Sequence, residues 1–117
     1  MNYEIRRGEI WLVNLDPTLG HEIKKSRPAL IVQNDLGNRF SPMTIIAPLT
    51  SQNLERLSPV EVLVTGSGLD KDSKIIMDQI RAIDKQRLVK RLGKIDDETI
   101  VHVDDALKIS LGLVRLS

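Results

Sequence analysis

One segment early in the chain gathers charged side chains directly ahead of an apolar run. Residues 20–28 read Gly-His-Glu-Ile-Lys-Lys-Ser-Arg-Pro, and Ala-Leu-Ile-Val follows at 29–32. A proline disfavours the helical region for the residue before it, so Pro28 holds Arg27 extended at the entrance to the apolar run. A guanidinium offers a planar fork of donors suited to phosphate oxygens, and functional groups often sit on loops that a rigid scaffold holds. A solvated basic loop without chemistry is the other interpretation of these residues.

Acid–base chemistry at this segment would depend on His21 or Glu22. Both can accept a proton near neutral pH, whereas the very high pKa of arginine makes it a poor general base. The only other histidine is His102, which lies in a predicted C-terminal helix beside an apolar position and is typical of a surface residue. The sequence does not indicate whether the two histidines meet.

Several other chemistries are disfavoured by the composition. The chain has no cysteine, which excludes disulfides and thiolate metal sites and fits a reducing compartment. It lacks a phosphate-binding loop with Lys-Ser/Thr and a nucleophile elbow, which disfavours nucleotide hydrolysis and acyl transfer. Without a signal-peptide pattern or an apolar run of membrane-spanning length, we expect a cytoplasmic protein with no membrane partner. The net charge of +1 does not by itself indicate a nucleic-acid ligand, although six Lys and Arg residues fall within 81–94.

The elements that must position these residues are strands first and a helix last. Branched and apolar patterns with turn residues at their ends predict strands at 8–16, 28–32, 44–50, 59–65 and 73–83. Pro48 lacks an N–H and favours an edge or a bulge for the third of them. A short helix within 84–92 is a weaker expectation, and the segment around Phe40 is expected to be a loop.

A closing helix has the clearest local signals. Asp96 is a good N-cap, Asp97 and Glu98 suit the positive end of the helix dipole, and Ile95 and Ile100 are spaced as a hydrophobic staple. Apolar residues then continue at helical spacing to Val114. At 117 residues the chain is expected to form one domain, 1–117, in the β-rich α+β class. The predicted architecture is a strongly bent antiparallel sheet or partial barrel covered by the C-terminal helix.

Short motifs in a fixed order give the chain a resemblance to a known family. They are Arg-Gly-Glu-Ile-Trp at 7–11, Asp-Pro at 16–17 with Gly20 and Glu22, Arg-Pro-Ala-Leu-Ile-Val at 27–32, Gln-Asn-Asp at 33–35, Pro-Leu-Thr-Ser-Gln at 48–52, and Asp-Gln-Ile-Arg at 78–81 with Ile-Asp at 83–84. In order and spacing they resemble the MazF/PemK family of toxin endoribonucleases from type II toxin–antitoxin modules. The resemblance covers nearly the whole chain.

The resemblance implies an SH3-like barrel, a homodimer and an antitoxin partner of the MazE kind with an acidic tail that folds on binding. It also implies cleavage of single-stranded RNA, messenger RNA above all, without a metal or other cofactor. The ribose 2′-OH attacks the adjacent phosphate and leaves a 2′,3′-cyclic phosphate and a 5′-OH. Translation stops because messages are cut.

The family's functional residues are carried over to matching positions of this chain. Its catalytic arginine falls on Arg27, its catalytic hydroxyl on Thr50 and its first-loop glutamate on Glu22. Positions that line its RNA groove are matched by Asn34, Ser73, Gln79 and Arg81. We add Lys25 for its charge and His21, which stands where family members usually carry a small residue. His21 would act in catalysis, stack on RNA or serve only as a surface residue.

Two other functional classes remain open at this stage. A non-enzymatic gyrase poison of the CcdB kind shares the fold, but it binds through C-terminal residues including Trp-Gly-Ile, and this chain ends Val-Arg-Leu-Ser at 114–117. An SH3-like adaptor for proline-rich peptides needs clustered aromatic residues, and this chain has three scattered ones, Tyr3, Trp11 and Phe40.

Overall fold

A computed structural model of the chain describes residues 4–17, 20–21 and 25–115. Within these residues seven strands and two α-helices follow one another along the chain. In order they are β1 (Glu9–Asn14), β2 (Ser26–Ile31), α1 (Asp35–Phe40), β3 (Met43–Thr50), β4 (Glu61–Val64), β5 (Ser73–Ile76), β6 (Arg81–Asp84), β7 (Leu88–Lys94) and α2 (Asp97–Ser110). None of the helices described is long and apolar enough to cross a membrane.

The strands form one antiparallel sheet in the order β4-β5-β3-β2-β1-β7, with β6 pairing with β3 as well. The sheet is open, and its long strand β3 contacts β2 along one edge and both β6 and β5 along the other. This confirms the predicted bent antiparallel sheet with a closing helix. Asp96 caps that helix as expected, because its carboxylate accepts a hydrogen bond of 2.8 Å from the Thr99 N–H.

An apolar core lies on each face of the sheet, because successive residues of the inner strands are buried on opposite sides. The first core packs beneath α2 and includes Ile10, Leu30, Leu49, Ile75, Val103 and Ala106. The second forms where the sheet curls over its other face and includes Trp11, Val13, Ala29, Ile31, Ile46, Ile83 and Leu88. The strands β1 to β3 are therefore buried from both sides near their middles.

The turn that follows one edge strand, β4, contacts the other edge strand, β7. The turn that follows β4 lies against β7 so closely that a Cβ on Gly93 would be 2.0 Å from the carbonyl oxygen of Ser67. A Cβ on Gly68 would equally be 2.0 Å from the carbonyl oxygen of Leu92. Gly68 also has φ +85°, a backbone conformation that side chains disfavour. Only glycine fits at either position of this contact.

Four expectations about elements were wrong. The segment 73–83 is two strands separated by a 3₁₀ turn at Met77–Gln79, and 84–92 contains a 3₁₀ turn and most of β7 in place of a helix. Phe40 ends helix α1, which was not predicted. The apolar stripe stops with α2 at Ser110, so Val114 is exposed beyond it.

Pro48 lies in a central strand and not at an edge. Its backbone is opposite Ala29 of β2. On its other side, β6 pairs with β3 only as far as Ile46, and β5 begins to pair at Leu49. On that side Pro48 therefore lies between the residues that pair with β6 and those that pair with β5, where its missing N–H interrupts neither pairing.

Candidate active site

Arg27 and Thr50 are brought together by the pairing of β2 with β3. The register places Leu30 opposite Ala47 and Ala29 opposite Pro48. Continued by two residues, the same register places Arg27 opposite Thr50, and side chains at directly opposite positions lie about 5 Å apart at Cβ. Both residues end their runs on the face that α2 does not cover, and both are half-buried. The strand pairing therefore brings the Arg27 end of β2 and the Thr50 end of β3 to the same end of the sheet.

The Thr50 hydroxyl is oriented by the backbone that follows it. Its Oγ1 accepts a hydrogen bond of 3.3 Å from the Gln52 N–H. A threonine oxygen has two lone pairs and one proton, so this bond occupies one acceptor site and leaves the O–H as a donor. Thr50 can therefore donate to an oxygen that Arg27 also contacts.

The ends of the loop between β1 and β2 are joined to each other. The Leu15 N–H donates to the Lys25 carbonyl at 3.1 Å, and the Lys25 N–H donates to the Asp16 carboxylate at 2.8 Å. Lys25 has φ +69°, a left-handed conformation that few residues other than glycine adopt. We call residues 14–16 together with Lys25 the loop base.

Two arginines hold the loop base from the other side. Arg81 Nη1 donates to the Leu15 carbonyl at 3.3 Å. Arg87 Nη1 donates to the Asn14 carbonyl at 3.1 Å and also to the Asp16 carbonyl. Because the loop base leads directly into β2, these bonds gather Lys25, Arg81 and Arg87 at the end of the sheet where β2 begins and give it a positive character.

The other predicted site residues are spread over different parts of the structure. Gln79 ends the 3₁₀ turn that leads towards Arg81 and is partly exposed. Ser73 is buried, donates to the Lys71 carbonyl at 3.1 Å and lies opposite Val64 on the face that packs against α2. Asn34 caps α1 beyond the far end of β2, which is roughly 13 Å from Arg27 at about 3.3 Å per strand residue. His21 is exposed. Glu22 lies outside the described residues.

An ion pair that the sequence did not predict lies beside Thr50. Lys74 of β5 is directly opposite Thr50, and its Nζ is 3.1 Å from a carboxylate oxygen of Glu61 on β4. The lysine is 7% exposed. The other oxygen of Glu61 accepts a 2.9 Å hydrogen bond from the Ser58 N–H. The sequence shows only that Lys74 precedes the apolar residues 75–77 in a predicted strand, and it does not indicate the partner.

The pKa of Glu61 lies below its ordinary value of 4.5. Burial, the largest single influence, raises the pKa, but the Ser58 N–H and the hydrogen bond and charge of Lys74 together outweigh it. A carboxylate with a depressed folded-state pKa stabilises the fold above its unfolded pKa, and this contribution is lost as pH falls through the folded value.

We therefore expect unfolding free energy to fall as pH drops below about 4.5, in part because of this one carboxylate. In Glu61→Gln, this part of the pH dependence is expected to disappear while the rest remains. Denaturant titrations of both proteins between pH 3 and pH 7 measure the difference. Parallel pH profiles for the two proteins would contradict the assignment.

The arrangement suits the stabilisation of negative charge on a phosphorus centre. Arg27 supplies a planar fork of donors, Thr50 supplies a hydroxyl donor, and Arg81 and Lys25 add positive charge nearby. Among the described residues, no three His, Cys, Asp or Glu side chains gather as a metal site. The predicted proton carriers for such chemistry are His21, which is exposed, and Glu22, which lies outside the described residues.

Comparison with known proteins also indicates chemistry on a phosphodiester. Residues 6–111 match the family described as "PemK-like, MazF-like toxin of type II toxin-antitoxin system". The Endoribonuclease EndoA of Bacillus subtilis (strain 168) is 43% identical over 112 residues, which cover 94% of this chain and 97% of that protein.

Solved structures share the fold over almost their whole length. MazF from Deinococcus radiodurans superposes with a TM-score of 0.81 at 25% identity, over 94% of this chain and 98% of that one. A mycobacterial endoribonuclease, solved in complex with its cognate antitoxin, superposes with a TM-score of 0.80 at 26% identity, over 95% and 98% of the two chains. The family predicted from the short motifs is confirmed: this chain belongs to the PemK-like, MazF-like toxins of type II toxin–antitoxin systems.

Proposed function

We propose that this chain is the toxin of a toxin–antitoxin module and an endoribonuclease that cleaves single-stranded RNA at short sequences. The feature that supports the proposal is the register of β2 and β3, which, extended by two residues, sets Arg27 across from Thr50 on the face opposite α2. The 43% identity to a protein named as an endoribonuclease supports the reaction class.

The reaction is an in-line displacement at phosphorus. The ribose 2′-oxygen attacks the adjacent phosphate, its proton passes to a base, and the 5′-oxygen of the next nucleotide leaves and takes up a proton. The products are a 2′,3′-cyclic phosphate and a 5′-OH. Negative charge grows on the non-bridging oxygens as the bond forms, and donors fixed in place before the reaction stabilise that charge most effectively.

The predicted residues divide between the displacement step and the binding of RNA. The fork of Arg27 and the hydroxyl of Thr50 donate to the non-bridging oxygens. Glu22 or His21 accepts the 2′-OH proton, since either is a better base than arginine. The RNA strand is bound by Lys25, Arg81, Gln79 and Asn34, of which the first two contribute phosphate contacts through their charge. Ser73 is given no RNA contact, because it is buried on the face that packs against α2. Unstacked bases are read at their edges by amide groups and loop backbone.

The proposed partners follow from the family. A mycobacterial relative and the Deinococcus MazF have both been solved with an antitoxin. We propose that an acidic segment of a cognate antitoxin binds across Arg81, Lys25 and the end of β2, where it would compete with RNA phosphates. A homodimer is the proposed assembly, and the cytoplasm, where messages are translated, is the proposed location. A gyrase poison is not favoured, because the matched family and the named relatives are endoribonucleases and MazF-like toxins.

The test is cleavage of a mixed single-stranded RNA by the purified protein in EDTA, with Thr50→Val beside the wild type. Valine keeps the branched shape of the side chain and removes its hydroxyl donor. We expect discrete products with 5′-OH ends from the wild type and a rate lower by about 10²–10³ in the variant, the usual effect of removing one such donor.

Intact RNA with a folded wild-type protein would contradict the proposal. Cleavage that requires a divalent cation, or products with 5′-phosphate ends, would contradict the mechanism while leaving ribonuclease activity in place. The cut sites in the wild-type products give the recognised sequence.

A further inference from the structure

Lys74 is a buried cation placed next to the proposed reaction centre. It is 7% exposed and lies directly opposite Thr50 in the pairing of β5 with β3. Burial of an ammonium group carries a free-energy cost of several kcal/mol unless close partners offset it. An apolar residue at this position would serve the stability of the strand as well, which indicates that the polar partners of Lys74 have another role.

Those partners hold both ends of the segment that follows Thr50. Lys74 Nζ donates to the Asn53 carbonyl at 3.1 Å, three residues after Thr50. The same Nζ binds Glu61, whose other oxygen accepts from the Ser58 N–H near the end of the segment. We call residues 51–60 the tethered loop. This loop connects β3 to β4, and the two partners of the ion pair bind it at Asn53 and at Ser58.

The tethered loop in turn orients the Thr50 hydroxyl. The N–H that binds Thr50 Oγ1 belongs to Gln52, the residue immediately before Asn53. Asn53 has φ +55°, so the chain turns sharply between the residue that contacts Thr50 and the one that Lys74 holds. A shift of the Asn53 carbonyl would move the Gln52 N–H and with it the hydroxyl.

We propose that Lys74 is a positioning residue for Thr50, acting through the Asn53 carbonyl and the Gln52 N–H. The inference rests on the proposed function, because it assumes that Thr50 donates to the reacting phosphate. Lys74 need not touch RNA in this role. It keeps the donor in its productive orientation before substrate arrives, and misplacement by about 1 Å is enough to cost on the order of 10² in rate.

The first test is a double-mutant cycle on RNA cleavage. Lys74→Met is expected to lower kcat by about 10–100-fold and to leave KM within about threefold, since orientation of a catalytic donor is lost and RNA contacts are kept. In the Thr50→Val background, the same change is expected to lower kcat by less than about twofold, because coupled residues are non-additive. Lys71→Met, an exposed lysine just before the same strand, is the matched control and is expected to behave as wild type.

A second variant separates loss of positioning from loss of stability. Lys74→Met alone leaves the Glu61 charge without its partner, which destabilises a buried site. Glu61→Gln combined with Lys74→Met removes both charges, a replacement that often leaves stability nearly unchanged. We expect this double variant to keep a Tm close to that of the wild type and to show the same loss of kcat.

A readout independent of RNA tests the tether itself. Arg56 is exposed within the tethered loop, so trypsin cleavage after Arg56 reports how well the loop is held. The double variant is expected to be cleaved there several times faster than the wild type, and Lys71→Met at the wild-type rate.

The outcomes separate the inference from the proposed function. An unchanged kcat in the folded double variant, or an equal loss of kcat with and without the Thr50 hydroxyl, would overturn the positioning role. If Thr50→Val cleaves RNA as fast as wild type while trypsin still attacks the loosened loop, the tether stands and the proposed role of Thr50 fails.

Discussion

Replacing Arg27 with alanine is expected to reduce kcat for RNA cleavage by at least about 10³-fold, since one lost donor typically costs on the order of 10²–10³ and a guanidinium supplies two. The geometry behind this expectation is the register of β2 and β3, which, extended by two residues, sets Arg27 across from Thr50. The loss should fall on kcat more than on KM, because the donors act on charge that develops in the transition state. Rates at saturating RNA, measured with a substrate that contains one cut site, give the result.

Two further variants show whether the fork or only the charge matters. Arg27→Lys keeps the positive charge and loses the planar fork, so we expect it to recover little of the lost rate. Arg39→Ala removes an exposed arginine that lies over the Phe40 ring on α1, away from the loop base, and is expected to leave cleavage unchanged. Cleavage by Arg27→Ala within tenfold of the wild-type rate would contradict the role proposed for Arg27.

Replacing Gly93 with alanine is expected to lower the free energy of unfolding by about 3 kcal/mol, at the upper part of the range for overpacked sites. The added Cβ would lie 2.0 Å from the Ser67 carbonyl oxygen, and a backbone atom cannot move aside as a flexible side chain would. The turn after β4 must then separate from β7, where the two edges of the sheet meet. Denaturant titrations with an unchanged m value measure this loss.

A second glycine gives a matched control for this prediction. Gly37 lies in α1, where an added Cβ would meet only the flexible side chain of Gln33 at 3.0 Å. Alanine also has a better helix propensity than glycine, by up to about 1 kcal/mol. We expect Gly37→Ala to stay within about 1 kcal/mol of wild-type stability. Equal effects at the two positions would show that the close approach of Gly93 to Ser67 contributes nothing to the fold.

The strands up to β4 were predictable because their local signals agree with the final structure. Pro28 and the run 29–32 predicted β2 to within two residues, and β3 was predicted to within one. Asp96 predicted the start of α2, since an N-cap is satisfied by the backbone N–H groups beside it. Such signals act over three or four residues and need no tertiary information.

The wrong predictions share a dependence on distant parts of the chain. The pattern at 73–83 predicts one continuous strand, but the 3₁₀ turn at its centre is packed against α2, and Ser110 donates to the Met77 carbonyl at 3.1 Å. The four-residue spacing of Leu88 and Leu92 favours a short helix within 84–92, where the structure has most of β7. Its pairing with β1 decides otherwise, with register shifts that no local pattern reveals.

The candidate site was predictable only in part for the same reason. Arg27 was identified from its own neighbours, and the pairing of Arg27 with Thr50 came from a family resemblance. Lys74 was missed, since nothing near it in sequence shows that Glu61 and the Asn53 carbonyl surround it. The roles of all these residues stay predictions until the variants are measured.

The loop base has a consequence for how this protein can change over evolution. Hydrogen bonds between Leu15, Asp16 and Lys25, with further bonds from Arg81 and Arg87, join the two ends of the loop. Doubling the length of a flexible loop whose ends are already fixed costs only about 0.6 kcal/mol. A change in loop length therefore costs little stability and leaves the strands that carry Arg27 and Thr50 in register. It would instead alter the placement of His21 and Glu22, so the loop can change the proposed proton transfer without disturbing the framework of the sheet.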